Sequence, residues 1–171
     1  MVGQEVELLS GGAAHDPFGR RVAHLRLVKN RRWVQGEMLE AGAGRVRTFS
    51  DNRALAREML EREARARVET RGLWALPAYQ VRLPWEVRTA GGFQIVEGKV
   101  TAVRRDGRGF ALDVQGLKAL IPPYAVRDFE AAGKAPADLA EKLVRLRGTI
   151  RRGPSIRLDH PEMVEVLEAP T

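Results

Sequence analysis

The sequence predicts an α+β, β-rich chain in two parts: a short sheet with helices, then a small β-barrel. Three observations predict it. Residues 93–167 alternate apolar and polar side chains in short runs separated by Gly- and Pro-containing turns, which is the pattern of a barrel. Residues 50–72 form one highly charged stretch with apolar side chains at four-residue spacing, which is the pattern of a helix. The 171 residues suffice for two small domains with real cores, and no apolar run approaches the ~20 residues of a membrane-spanning helix.

Val6, Leu8 and residues 22–28 read as strands, joined by the polar, Gly-containing stretch 11–20. A helix over 35–41 follows, with Met38 and Leu39 as its buried side chains and Gly42 and Gly44 at its end. The long helix takes Ser50 or Asp51 as its cap, and Ala56, Leu60, Ala64 and Val68 form its apolar stripe beside Leu55 and Met59. Glu58–Arg62, Glu61–Arg65 and Glu63–Arg67 are spaced for i,i+4 pairs on a solvated face. Gly72 stops the helix, and Leu73, Trp74, Leu76, Pro77 and Tyr79 form an irregular arm that packs its aromatic rings inward. With Pro84 and the Gly91–Gly92 pair, residues 81–92 read as a linker between a domain at 1–80 and one at 93–171.

In the second part, strands are expected at 94–103, 109–114 and 117–121, with turns at Asp106–Gly107 and Gln115–Gly116. Helical pieces at 124–132 and 136–142 lead to strands at 143–150, 155–158 and 163–167. Three strands, a helical connection and further strands is the order of an OB-type barrel.

Lys and Arg number 29 against 22 Asp and Glu, a formal net charge of +7. Residues 1–92 carry 16 basic and 11 acidic side chains (+5), and 93–171 carry 13 and 11 (+2). Such a balance suits an anionic partner, nucleic acid first, although an Arg-rich base composition gives the same excess. The chain has no cysteine, so disulfide, thiol and zinc-thiolate chemistry are excluded. His15, His24 and His160 lack metal-ligand spacing, and Ser10, Ser50 and Ser155 lack a nucleophile-elbow setting. The first residues, MVGQEVELLS, do not form a secretory signal, and the compartment stays open.

Asp16-Pro17-Phe18-Gly19-Arg20 before an apolar strand, Trp33-Val34-Gln35 before a helix, and Ser50-Asp51-Asn52 before a long charged helix ending Arg71-Gly72-Leu73-Trp74 come in a specific order. That order, over about residues 3–79, resembles the C-terminal part of the thermonuclease (micrococcal nuclease-like) domain. Val96-Glu97-Gly98, Val144-Arg145-Leu146-Arg147-Gly148 and the closing His160-Pro161-Glu162 are similar to an extra C-terminal module of some bacterial members. The resemblance implies a partial thermonuclease-like half, and it matches Arg20 to an arginine that contacts the scissile phosphate. A planar, permanently charged guanidinium suits that task. The family's calcium-binding carboxylate elements have no counterpart in the sequence, and Glu5 and Glu7 supply only two ligands on one strand face.

The expectation is therefore a nucleic-acid-binding protein of thermonuclease descent, without nuclease activity and without a cofactor in this form. Its alternatives are a calcium-dependent phosphodiesterase whose missing strands lie upstream, and an OB-type protein-interaction module. The open edge of the first sheet leaves three expectations: a longer gene product, a second copy or another chain that covers the edge, or repacking of this half against the barrel. Strand alternation puts Arg145 and Arg147 on one face, followed by Arg151, Arg152 and Arg157, as a basic strip for the backbone of a nucleic acid. Phe110 or Tyr124 would be its stacking residues; the bland alternative is a solvated barrel exterior.

Overall fold

The computed structural model describes residues 2–167, so Met1 and the last four residues of the expected 93–171 domain lie outside the described residues. The chain divides into two compact units between Tyr79 and Gln80. The fold is α+β and β-rich, with three α-helices and a closed five-stranded barrel.

In the first unit β1 (Val6–Leu9) pairs antiparallel with β2 (His24–Leu27), Val6 opposite Leu27 and Leu9 opposite His24. α1 (Val34–Glu40) follows, and the Gln35 side chain takes the place of a neighbouring strand at β2. Its Oε1 accepts from the Leu25 N–H at 2.8 Å and its Nε2 donates to the Ala23 carbonyl at 3.2 Å. Leu39 is buried as expected, but Met38 is half exposed.

α2 (Ala56–Val68) starts later than its expected cap. Asp51 and Asn52 instead hold the preceding loop: the Asp51 carbonyl accepts from the Ala13 N–H at 2.9 Å, and Asn52 Nδ2 donates to the Ala13 carbonyl. The buried face of α2 also differs from the apolar stripe. Ala56, Glu63 and Ala66 are buried, while Val68 is exposed. Glu63, expected on a solvated face, is fully buried because it accepts the Val46 N–H and pairs with Arg67 at 3.1 Å. Arg62 reaches Glu40 at 2.7 Å instead of Glu58, and Glu61 pairs backward with Arg57.

Trp74 lies buried in a 3-10 turn, Gly72–Ala75. The chain reaches that turn past Gly42, which has φ +70°; a Cβ there would sit 2.1 Å from the Arg71 carbonyl oxygen. Only glycine allows the two backbones to pass so closely.

The second unit is the barrel. β3 (Gly92–Asp106), β4 (Gly109–Val114) and β5 (Leu117–Ile121) form an antiparallel meander. A 3-10 turn and α3 (Val126–Ala131) lead to β6 (Leu143–Arg151), β7 (Ser155–Arg157) and β8 (Val164–Leu167). Strand order β3-β4-β5-β7-β6 closes through β3–β6 pairing, with β8 added to β6 and a parallel β5–β7 pair. That is an OB-like barrel, in the order read from the sequence.

Alternation along the strands fills the interior. Val103, Leu112, Ala119, Ile156 and Ile150 stand opposite one another across all five strands, and all but the partly buried Val103 are fully inside. Phe129 of α3 and Leu139 plug the core. The stretch 81–92, read as a linker, packs on this unit. The Arg82 N–H donates to the Ile95 carbonyl at 2.8 Å, the Arg82 carbonyl accepts from Glu97 N–H, and Val87 is fully buried. Gly98 makes room for it, because a Cβ there would meet Pro84 Cγ at 2.6 Å.

Candidate nucleic-acid interface

If one face of each strand fills the barrel, the other faces outward, and the register says what stands beside what. On one side of the buried row runs Arg104–Ala111–Leu120–Arg157, across β3, β4, β5 and β7. On the other runs Ala102–Asp113–Lys118–Ser155–Arg151. The outer surface of β4 and β5 is thus a low platform of small and aliphatic side chains edged by cations. The β3–β4 turn adds Arg108 and the β6–β7 turn adds Arg152, both exposed.

Arg104, Arg108, Lys118, Arg151 and Arg152 are exposed and form no ion pair among the described residues. Asp113, the carboxylate within the platform, is engaged by Thr101 Oγ1 at 3.0 Å and the Gly116 N–H at 2.9 Å. Cations gathered at one barrel face, outnumbering the exposed carboxylates Asp106 and Asp113 beside them, raise the local potential for a polyanion.

Beside this platform stands a polar triad. Tyr124, 59% exposed, donates its hydroxyl to Asp159 Oδ1, which also accepts from Arg157 Nε at 2.7 Å. Arg157 Nη2 contacts the same hydroxyl. That hydrogen bond, then Asp159, raises the guanidinium pKa, so Arg157 is charged at every working pH.

The structure separates the four arginines expected to form one strip. Arg151 and Arg152 are exposed at the edge of the platform. Arg145 lies between Glu97 on β3 and Glu165 on β8, with contacts of 2.6 and 3.0 Å. Arg147 is buried, 1% exposed, and bonds Glu165 at 2.8 Å. Two arginines facing two glutamates leave no net charge, so that part of β6 is a structural seam. Arg104 and Lys118 take their place in the exposed set. Alternation within β3 and β5 was the signal that could have found them, but only pairing shows that they flank one surface. Of the two aromatic candidates, Tyr124 is open, whereas Phe110 packs against the core under Arg105, whose guanidinium lies 4.6 Å from its ring centre.

In the first unit, Asp16 organises the loop that carries Arg20. Its Oδ1 accepts the Phe18 and Arg20 N–H groups, each at 2.9 Å, and its Oδ2 takes Arg20 Nε at 2.6 Å. Desolvation pushes the Asp16 pKa up, but the bonds from Arg20 and Phe18 outweigh it and hold the carboxyl below its ordinary value. The Arg20 side chain is 75% exposed. His24 Nδ1 accepts from Trp33 Nε1 at 3.1 Å, and burial lowers the pKa of the imidazole.

The chain matches no family model and no curated protein.

Among the described residues, no three His, Asp or Glu side chains gather as ligands for a metal ion. Glu7, the carboxylate singled out beside the loop strand, is bound to Arg26 at 2.7 Å, and Asp16 is committed to Arg20. The donor set does not fit the calcium that the resemblance implies, since a hard cation takes six or more converging oxygens.

Proposed function

We propose that the protein binds nucleic acid on the outer surface of β4, β5 and β7. The supporting observation is the cross-strand pair of rows that edges a carboxylate-poor platform with Arg104, Lys118, Arg151 and Arg157. Affinity comes from phosphate neutralisation with release of counterions, which gives weak sequence preference and steep salt dependence. On this reading the chain is of thermonuclease descent, resting on the ordered motifs of residues 16–74, and Arg20 is a second phosphate contact, its side chain 75% exposed with Nε held by Asp16. The proposal does not include cleavage, because Glu7 and Asp16 are each bound to an arginine and no three carboxylate or imidazole side chains gather among the described residues.

The test is oligonucleotide binding at several salt concentrations, with calcium and with chelator. The proposal expects affinity to fall linearly with log salt, with a slope of about −0.7 per phosphate contacted on a single strand. Lys118→Glu with Arg151→Glu weakens binding and flattens that slope, and no cleavage appears with calcium. Salt-insensitive binding, or full affinity in the double variant, contradicts the site; calcium-dependent cleavage lost in Arg20→Ala contradicts the inactive reading.

A further inference from the structure

We propose that Tyr124 and Arg157 form a subsite for one nucleotide of a single-stranded segment, the base stacking on the phenol ring and its phosphate held by the guanidinium. The inference rests on the proposed nucleic-acid reading and assigns it a substrate form.

Tyr124 follows the Pro122–Pro123 turn at the end of β5, where two prolines restrict the backbone and Ala125 is fully buried just beyond. Its backbone is thus fixed while its ring stays 59% exposed. An exposed phenol ring offers a flat apolar face on which a base can stack. The ring is also oriented, because its hydroxyl is tied to both Asp159 and Arg157. The Arg157 guanidinium carbon is 5.6 Å from the ring centre, and one nitrogen contacts the hydroxyl, so the cation sits toward the hydroxyl end of the ring. Much of the ring remains open to a flat partner.

Arg157 has donors to spare. Of five N–H groups on a guanidinium, Nε and one on Nη2 are used, which leaves three for a phosphate. Arg157 also closes the row that begins at Arg104. Three strand spacings of ~4.8 Å separate the two, about 14 Å, room for a few nucleotides. Ala111 and Leu120 between them are low enough for the strand to pass. A duplex cannot use this arrangement, since its base faces are already stacked on one another, whereas every unpaired base offers a π-face.

The experiment is fluorescence anisotropy of the full chain with a labelled thymidine oligonucleotide and with a blunt duplex of equal charge, for wild type, Tyr124→Ala and Tyr124→Phe. Wild type binds the single strand more tightly. Tyr124→Ala loses about tenfold on the single strand, the effect of one lost stacking contact, and less than about twofold on the duplex. Tyr124→Phe keeps the ring and stays within about threefold of wild type on the single strand. Equal loss on both ligands, no loss in Tyr124→Ala, or Tyr124→Phe as weak as Tyr124→Ala overturns the subsite while salt-dependent binding leaves the broader reading standing. Wild type binding neither ligand overturns both.

Discussion

Single side chains here do different work according to what stands opposite them. Asp159 neutralises Arg157 at rest and takes one of its five N–H donors. Asp159→Asn therefore tightens single-strand binding, measurable in the same anisotropy titration; unchanged or weaker affinity places the phosphate elsewhere. In the first unit the carboxylates are stabilisers. Glu7 is held below its ordinary value of 4.5 by the hydrogen bond from Arg26, and Glu37 below the same value by that from Arg32. Their folded values are depressed, so their contribution is complete above about pH 4.5 and fades as pH falls through the lowered values. Thermal melts between pH 6 and pH 2.5 should show this loss, and Glu7→Gln with Glu37→Gln should reduce its slope. Both side chains are exposed to water, so added salt weakens the effect.

At the scale of elements, α2 and β6 show what a sequence carries and what it withholds. The type of both, and the extent of β6, were legible, because helical spacing and strand alternation are local properties, whereas α2 begins several residues later than read. The partners were not. Glu63 looks like a surface glutamate in an i,i+4 ladder until Val46 N–H from another segment arrives to take its carboxylate. Arg145 and Arg147 look like a basic strip until β3 and β8 set Glu97 and Glu165 beside them. The helix cap misled for the same reason, since Asp51 and Asn52 are engaged with Ala13, far away in sequence. These assignments make a prediction. Arg147→Ala removes a buried guanidinium and one of the two arginines that hold Glu165, leaving Arg145 on that carboxylate, and costs about 2 kcal/mol of stability, read by urea denaturation, yet leaves oligonucleotide affinity unchanged in the folded protein. Glu63→Ala destabilises by a comparable amount, about 3 kcal/mol, because Arg67 and the Val46 N–H lose a buried partner.

For the whole molecule, the barrel order was readable from strand lengths, turns and the helical insertion, and it matters because it decides where the charges go. Net charge alone gave only a class of partner. Closure of β3 onto β6 divides the basic side chains of the second unit into a neutralised seam and an exposed surface. Arg104, Lys118 and Arg157 lie on three different strands, as far as 53 residues apart in sequence, and nothing local links them. Their functional meaning belongs to the fold. The most direct test of that division is a backbone-amide NMR titration of the full chain with a short thymidine oligonucleotide. The largest shifts are expected in β4, β5, β7 and the 106–108 and 152–154 turns, with β8 and the middle of β6 quiet. Shifts concentrated around Arg145, Arg147 and Glu165 would contradict the assignment of the binding surface.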